Sequence, residues 1–393
     1  MNISLLKKKL LFMAFKVELT KFEDGDTNVN DYYEDFLKAL SETPNYEKIN
    51  KTLLPINDDD IPYEIPKNWK WFRLGNLIRI KSGNGLSSNK MKKGEIPVYG
   101  GNGVNGYHSE YNVSEPTLVI GRVGFYCGSV HITPEKAWIT DNAFIVTYSK
   151  KHFDITFLKY LLMNTDLRQN DSSTAQPVIS GTKIYNLLIP VPPIEEQRRI
   201  SNLLSNLFNK FEKIDEHYQA FNNYKESIKT KIYKMAVNGE IIKKSEWAED
   251  VLENILVYEQ PTKYIVSSDK YNNDYKTPVL TAGKTFILGY TNEEKGIFNK
   301  LPVIIFDDFT TASKYVDFPF KVKSSAMKIL NCNPEMNIKF YYYLLQSLDY
   351  DASTHKRYWI SEFAPMTVPV PPKEEQDKIV EKVEQLLNLI DQI

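Results

Sequence analysis

Two octapeptides constrain this chain more than any other feature. Pro190-Val191-Pro192-Pro193-Ile194-Glu195-Glu196-Gln197 returns as Pro369-Val370-Pro371-Pro372-Lys373-Glu374-Glu375-Gln376, 179 positions later, with seven of the eight residues identical. With each residue type near 5%, chance produces such a match on the order of 10⁻⁴ times even when all registers are tried. The chain is therefore two copies of one unit, and that repetition sets its architecture. The similarity spreads outward in weaker form. Trp69 faces Trp247, Leu74-Gly75-Asn76-Leu77 faces Leu252-Glu253-Asn254-Ile255, Pro97-Val98 faces Pro278-Val279, and Phe157 to Leu162 faces Phe340 to Leu345. Each copy then passes through Ser-Thr and Ile-Ser, at Ser173-Thr174 and Ile179-Ser180 and again at Ser353-Thr354 and Ile360-Ser361.

Each doubled proline pre-sets the chain for a helix, and the glutamates that follow occupy a first turn, where the helix dipole favours negative charge. In the first copy Ile200, Leu207, Ile214, Phe221, Ile228 and Met235 fall at intervals of seven, with Leu204, Phe211, Tyr218 and Ile232 between them and Lys225 as the one interruption. This is the seam of a coiled coil. About 38 helical residues at roughly 1.5 Å each make a rod of about 57 Å, too long to bury in one small domain. It requires a partner helix. The C-terminus supplies part of one through Ile379, Val383, Leu386, Ile390 and Ile393, and the rest stands at the front, where Leu10 to Leu19 parallels Ile232 to Ile241 at an offset of 222. The copies thus form a nearly closed ring cut inside one helix, with positions 215 to 222 lacking a counterpart. Such a circularly permuted repeat predicts an α+β chain, with two pseudo-symmetric α/β modules separated by two long antiparallel coiled-coil helices. The expected boundaries are 1–60 for the N-terminal helix and connector, 61–190 for the first module, 191–244 for the central helix, 245–369 for the second module and 370–393 for the C-terminal helix.

Composition narrows the classes. With 393 residues, 42% hydrophobic and 25% charged, both modules can bury a core. The 49 basic and 50 acidic residues nearly cancel, so any nucleic-acid contact must come from local patches. Two widely separated cysteines, Cys127 and Cys332, exclude a disulfide framework and a thiolate zinc site and fit a reducing compartment. No apolar run reaches the roughly 18 residues of a membrane helix. Met1 to Phe15 imitates a signal peptide only faintly, because Lys16, Glu18 and Lys21 follow at once, and the expected location is the cytoplasm. The modules carry short β-branched and aromatic runs such as Thr117 to Ile120, Ala143 to Val146 and Pro302 to Phe306, separated by glycine and asparagine turns. Residues 20 to 60 read as a connector, helical near Asp31 to Leu40.

Tandem modules, each closing on a PVPPxEEQ-like segment that opens a long helix, resemble the specificity subunit of type I restriction-modification systems. Ile65-Pro66-Lys67-Asn68-Trp69, which leads into the first module, and the permuted helix carry the same resemblance, which covers essentially the whole chain. It implies two target-recognition domains that read a split double-stranded DNA sequence, with helices that space them and dock two DNA methyltransferase subunits and the restriction or translocase subunits. It also implies that S-adenosylmethionine, ATP and magnesium act on those partner subunits and that this chain binds no cofactor. Copy two departs at one place, having Phe306-Asp307-Asp308-Phe309 and no counterpart to the turn Gly121-Arg122-Val123-Gly124.

Base edges are read by donors and acceptors on loops, and phosphates by lysine, arginine and backbone amides. The candidates in copy one are Lys81-Ser82-Gly83-Asn84, Tyr99-Gly100-Gly101-Asn102-Gly103, Arg122, and the stretch from Thr174 and Gln176 to Lys183. In copy two they are Lys263, Lys284, Thr310, Thr311, Ser313, Lys314 and His355-Lys356-Arg357-Tyr358. Each could equally be a solvated polar loop. Because the modules differ in sequence within a shared frame, the expected target is bipartite and non-palindromic.

Catalytic patterns fail. Gly101 to Gly106 fits GxGxxG but leads into Tyr107-His108-Ser109-Glu110 with no helix to hold a pyrophosphate. Ala282-Gly283-Lys284-Thr285 resembles the end of a phosphate-binding loop, yet Pro278 stands where the first glycine is required. Glu293-Glu294-Lys295 with Asp274 is the one string that could serve a metal-dependent nuclease, and it equally suits a charged surface loop. No methyltransferase motif is visible, and His108, His131, His152, His217 and His355 lack metal-ligand spacing. Neither a catalytic residue nor a metal site is assigned. The contrasting classes are a coiled-coil scaffold that binds protein and a self-contained nuclease.

Overall fold

The computed structural model describes residues 2–21, 23–43, 45–168, 178–243, 245–283, 285–350 and 356–393, all but the side chain of Thr182. The chain divides into two compact units, Met1–Glu216 and His217–Ile393. The first opens with α1 (Ile3–Phe15) and a connector carrying α2 (Tyr33–Ser41) and α3 (Tyr46–Asn50). Module one follows as β1 (Lys70–Arg73), β2 (Ile78–Ser82), β3 (Ile96–Gly100), β4 (Gly103–His108), β5 (Leu118–Gly121), β6 (Val130–Ile132), β7 (Trp138–Ile139), β8 (Ala143–Tyr148), α4 (Ile155–Asn164), α5 (Gly181–Ile184) and β9 (Leu188–Val191). The helix α6 (Ile194–Val237), 44 residues long, begins in this unit. The second unit holds the rest of α6 and then β10 (Ala248–Val251), α7 (Leu252–Ile255), β11 (Leu256–Glu259), β12 (Thr277–Leu280), β13 (Ile287–Thr291), β14 (Val303–Asp307), β15 (Ser313–Val316), β16 (Lys321–Val322), β17 (Met327–Cys332), α8 (Ile338–Ser347), β18 (Thr367–Val370) and α9 (Lys373–Gln392).

The two modules share one topology. Module one has sheets ordered β2-β8-β5-β6 and β4-β3-β7 with the pair β1-β9, and module two has β11-β17-β14-β15 and β13-β12-β16 with β10-β18. The equivalence reaches single residues. Val98 and Val279 each precede or sit at a register shift against the next strand, and each begins the one parallel pairing of its sheet, to Trp138 and to Lys321. Central strands separate two cores by their period of two. Leu118 and Ile120 of β5 face the core under α4 while Val119 packs with Tyr99, Ile139 and Ala143. In β14 Ile304 and Phe306 face the core under α8, while Val303 and Ile305 pack with Phe298 and Phe320.

The repeated octapeptide is a clasp. The second glutamate of each helix start accepts the indole N–H of the module's lead-in tryptophan, Trp69 to Glu196 at 2.8 Å and Trp247 to Glu375 at 2.7 Å. The glutamine beside it is fully buried and bridges backbone at both ends. Gln197 accepts from the Asp154 N–H and donates to the His152 and Pro192 carbonyls, and Gln376 accepts from the Asn337 N–H and donates to the Pro371 carbonyl. These bonds join strand, helix start and lead-in segment, which explains why these positions coincide between copies.

The permuted offset is also borne out, in the ends of two helices. At the end of α1 the Glu18 N–H donates to the Met13 carbonyl, and at the end of α6 the Glu240 N–H donates to the Met235 carbonyl. Both helices close through a residue of positive φ, Val17 (63°) and Gly239 (73°), as a C-terminal cap with a six-to-one bond requires. Glycine takes that conformation freely and a β-branched valine does not.

Helix pairing departs from the sequence expectation in the middle. Within the first unit α1 runs antiparallel to the start of α6, with Lys7 paired to Glu212 and Thr20 bonded to Glu196. Ile200 and Leu204 are buried there, and Leu207 and Phe211 partly so. Within the second unit α9 runs antiparallel to the end of α6, with Lys229 paired to Asp391 and the Ser245 N–H on Glu375. Ile232, Ile379, Val383 and Ile390 are buried, and Met235 and Leu386 partly so. Between them Ile214, Tyr218, Phe221 and Ile228 are 40–51% exposed, and Tyr224 is 71% exposed. The seam runs the length of the helix, broken at Lys225, but is covered only at its ends: Lys7 of α1 already lies opposite Glu212, and Asp391 of α9 opposite Lys229.

Candidate nucleic-acid interface

In module one the structure draws the predicted loops to a single edge. The β3–β4 hairpin tip and the β5–β6 loop interlock through glycines. A Cβ on Gly101 would lie 2.2 Å from the Val123 carbonyl, and one on Gly121 would lie 2.1 Å from the Gly101 carbonyl. Close backbone approach here requires glycine. Ser129 Oγ donates to the Gly101 carbonyl, and the Arg122 guanidinium donates to Ser82 Oγ at 3.1 Å while lying over the Phe144 ring. The Ile179 N–H donates to the Arg122 carbonyl, which brings Ser180, Gly181 and the exposed Lys183 to the same edge, with Gly181 beside Ile80 of β2. Lys81, Asn84 and Asn102 are exposed on it.

Some candidates are structural. Tyr99 is 8% exposed and packs in the small core, so its ring does not face solvent; Gly100 and Gly103 are buried backbone of the hairpin. Gly83 is pressed against the Ile139 carbonyl, where a Cβ would lie at 2.2 Å. Thr174 and Gln176 lie outside the described residues.

Module two assembles a smaller group. Asp307 Oδ1 accepts the N–H groups of Phe309 and Thr310, and Thr311 takes a positive φ of 60° to close the loop toward Lys314 on β15. Asp308 ties this loop to the segment beginning at Lys356: its carbonyl accepts the Tyr358 N–H and its carboxylate the Trp359 N–H at 2.8 Å. Lys356, paired with Glu362, and Arg357 are exposed there. Two candidates are corrected. Tyr358 is 0% exposed, with its ring against Tyr350 in the core, and Ser313 is 4% exposed with its hydroxyl and carbonyl accepting from Gln346. Tyrosine beside basic residues looked like a DNA contact, but its apolar ring fills the space under α8. Lys263 is exposed on a turn that Ile265 bridges to Val322 of the smaller sheet. Lys284 and His355 lie outside the described residues.

The supposed lack of a counterpart to the Arg122 turn is also corrected. Ladder pairing puts Gly121 opposite Ala143 and Asp307 opposite Met327, so Arg122 and Asp308 occupy equivalent places. The Arg122 N–H donates to the Asn142 carbonyl as that of Asp308 donates to the Ala326 carbonyl. Phe144 and Lys328 are equivalent as well. Where module one stacks Arg122 on Phe144, module two pairs Asp308 with Lys328 at 3.5 Å, both side chains at most 2% exposed.

The other strings have structural employment. Gly101 to Gly106 turns one hairpin, and Thr281 to Phe286 closes the corresponding one. Glu293 pairs with the buried Lys321 at 3.0 Å and accepts the Ser267 and Ser268 N–H groups. Burial pushes the Cys332 thiol up to about 12, away from the thiolate form. Among the described residues no group of histidine, cysteine or carboxylate side chains is placed to hold a metal, and no helix is long and apolar enough to cross a membrane. Sequence reasoning missed Phe125 and Tyr126, which stand exposed in the β5–β6 loop. Their signal was two aromatic residues between Gly124 and Gly128 beside a chosen arginine.

The sequence matches the family described as type I restriction modification DNA specificity domain over residues 66–220 and 244–393. The type I restriction enzyme EcoR124I/EcoR124II specificity subunit of Escherichia coli is 47% identical over 152 residues, and this chain spans 37% of that relative's length. The putative type I restriction enzyme MjaX specificity subunit of Methanocaldococcus jannaschii is 23% identical over 392 residues, covering 84% of this chain and 89% of its own. Among solved structures, a chain from work on complex assembly and conformational transition of the type I R-M system superposes with a TM-score of 0.55 at 15% identity, over 84% of this chain and 93% of that one. That likeness concerns the fold.

Proposed function

Because the chain belongs to the type I restriction-modification specificity family, which matches it across both copies, we propose that it selects the DNA target of a type I restriction-modification complex. Each module binds one half of a bipartite, non-palindromic double-stranded site, and the chain itself performs no chemistry. The observation that carries this reading is one topology built twice with different side chains on the same loops, Arg122 over Phe144 in one and Asp308 with Lys328 in the other. Two frames alike in backbone and unlike in side chains suit two unlike half-sites.

In this reading the helices dock two methyltransferase subunits and the restriction or translocase subunits, and the apolar residues Tyr218, Phe221, Tyr224 and Ile228, exposed on α6, favour a protein partner there. S-adenosylmethionine, ATP and magnesium belong to those partners, and the complex works in the cytoplasm.

The test is methylation mapping with the reconstituted complex. Exchanging residues 61–190 for the module of another family member changes one half of the methylated sequence and leaves the other intact. Alteration of both halves, or magnesium-dependent cutting by the chain alone, overturns the reading; binding to protein only favours a scaffold. Specific binding weakens as salt rises, because each neutralised phosphate adds nearly one unit to the logarithmic slope.

A further inference from the structure

The β5–β6 loop of module one exposes two aromatic rings on a rigid mount. Phe125 is 75% exposed and Tyr126 57%, with ring centroids 4.9 Å apart at 88°. The loop beneath them is braced from three sides. The Gly128 N–H donates to the Gly121 carbonyl and the Cys127 N–H to the Gly124 carbonyl, while Gly124 (φ +103°) and Gly128 (φ +88°) supply the reversals. Cys127 itself is buried in the core at 2%. From beyond the end of α4, Arg168 donates Nε to the Cys127 carbonyl at 2.8 Å and Nη2 to the Phe125 carbonyl at 2.6 Å. A guanidinium on two carbonyls fixes the direction in which the rings point.

Holding a phenylalanine in water forgoes the burial that normally stabilises it, so the arrangement makes sense when something apolar and flat covers it. The surroundings say what. The same loop begins at Arg122, and the cavity that Tyr126 lines is also lined by the exposed Lys8 and Lys9 of α1, cations suited to a polyanion beside the rings. An aromatic pair beside phosphate-binding cations is an arrangement that receives bases, whose π-faces stack on such rings.

Resting on the reading of module one as a DNA reader, we propose that the Phe125–Tyr126 tip inserts as a wedge against a base step of that module's half-site. Module two does this differently. Its corresponding loop, Asp308 to Ala312, is three residues shorter and carries one aromatic residue, the partly buried Phe309, followed by Thr310 and Thr311, where module one carries two exposed rings. The wedge therefore deforms one half of the target only, and specificity there includes how readily the step unstacks.

The experiment uses the full chain reconstituted with its modification subunits and a mapped target carrying 2-aminopurine at successive positions of each half-site. Binding raises the fluorescence at one step of the module-one half and at none in the other. F125A/Y126A abolishes the rise and weakens specific binding by roughly tenfold per ring. F125W retains both and F125L, which keeps the bulk without the ring face, loses the fluorescence change. Both side chains lie at the surface, so circular dichroism and thermal melting of the variants match the parent. Unchanged affinity and fluorescence in F125A/Y126A, while module exchange still alters half the target, overturns the wedge and leaves the DNA-reading assignment standing. Loss of the modification subunits in place of DNA affinity also overturns it, making the tip a protein contact. Failure of the parent complex to select any sequence strikes the underlying reading instead.

Discussion

At the turn after the central strand, the two modules hold inverted chemistry on the same backbone. Module one presents a half-exposed arginine stacked on Phe144 and bonded to Ser82; module two buries an aspartate against Lys328 and uses it to clamp Tyr358 and Trp359. A frame that keeps its ladder bonds can therefore leave one position open to a ligand in one copy and freeze it into the core in the other. Equivalence of position is not equivalence of role, and a residue's part in one module cannot be transferred to the other by alignment.

The largest test of that contrast is at Asp308. D308N leaves the Lys328 ammonium buried without its counter-charge and costs about 3–5 kcal/mol in denaturant unfolding, whereas D308N/K328M, which removes the stranded charge and keeps an amide oxygen to accept the Trp359 N–H, recovers most of the loss. R122A changes stability by less than about 1 kcal/mol and instead relaxes selectivity in one half-site, read by methylation mapping. If D308N proves as harmless as R122A, the division of roles is wrong. Next come the clasps. W69F removes a charged hydrogen bond to a glutamate that is 1% exposed and costs about 2–3 kcal/mol; W247F, whose partner is more accessible, costs less. Reversed ranking in thermal melting separates the copies differently.

The two helix ends sharpen the comparison further. V17G relieves a β-branched residue at positive φ and stabilises by about 1 kcal/mol, while G239V destabilises by a similar amount. The smallest effect is in pH. The Trp247 indole and then Ser245 hold the Glu375 carboxyl below its ordinary value, and Arg199 does the same for Asp26. Depressed carboxylates stabilise the folded chain above the ordinary carboxylate range, near pH 4, and that contribution is lost as pH falls through it. E375Q in the second unit and D26N in the first therefore flatten the acid limb of the stability curve by lowering stability at pH 7, with little change at low pH where the parent carboxyls are already protonated.

Much of the fold was legible because the repeat supplied an internal alignment. Trp69 with Trp247, Val98 with Val279 and the offset joining α1 to the end of α6 all mark equivalent places. The seam was legible as a periodicity, but its coverage was not. Nothing in the spacing of Ile214, Tyr218, Phe221 and Ile228 records that α1 and α9 pair only with the ends of α6. The interface was legible in module one, where glycines allow loops to interlock, and less so in module two, where Tyr358 and Ser313 are polar by composition and buried by packing. Pairing of Arg122 with Asp308 required the sheet ladder, since their chemistries share nothing.

The clasp bears on how a module could be exchanged. One jaw travels with the module, as Trp69 or Trp247, and the other stays with the helix, as Glu196 or Glu375. Both copies use the same two jaws, so a foreign module with a tryptophan at that place finds its fastening already waiting. The frame can then stay unchanged while the side chains the module displays are replaced wholesale.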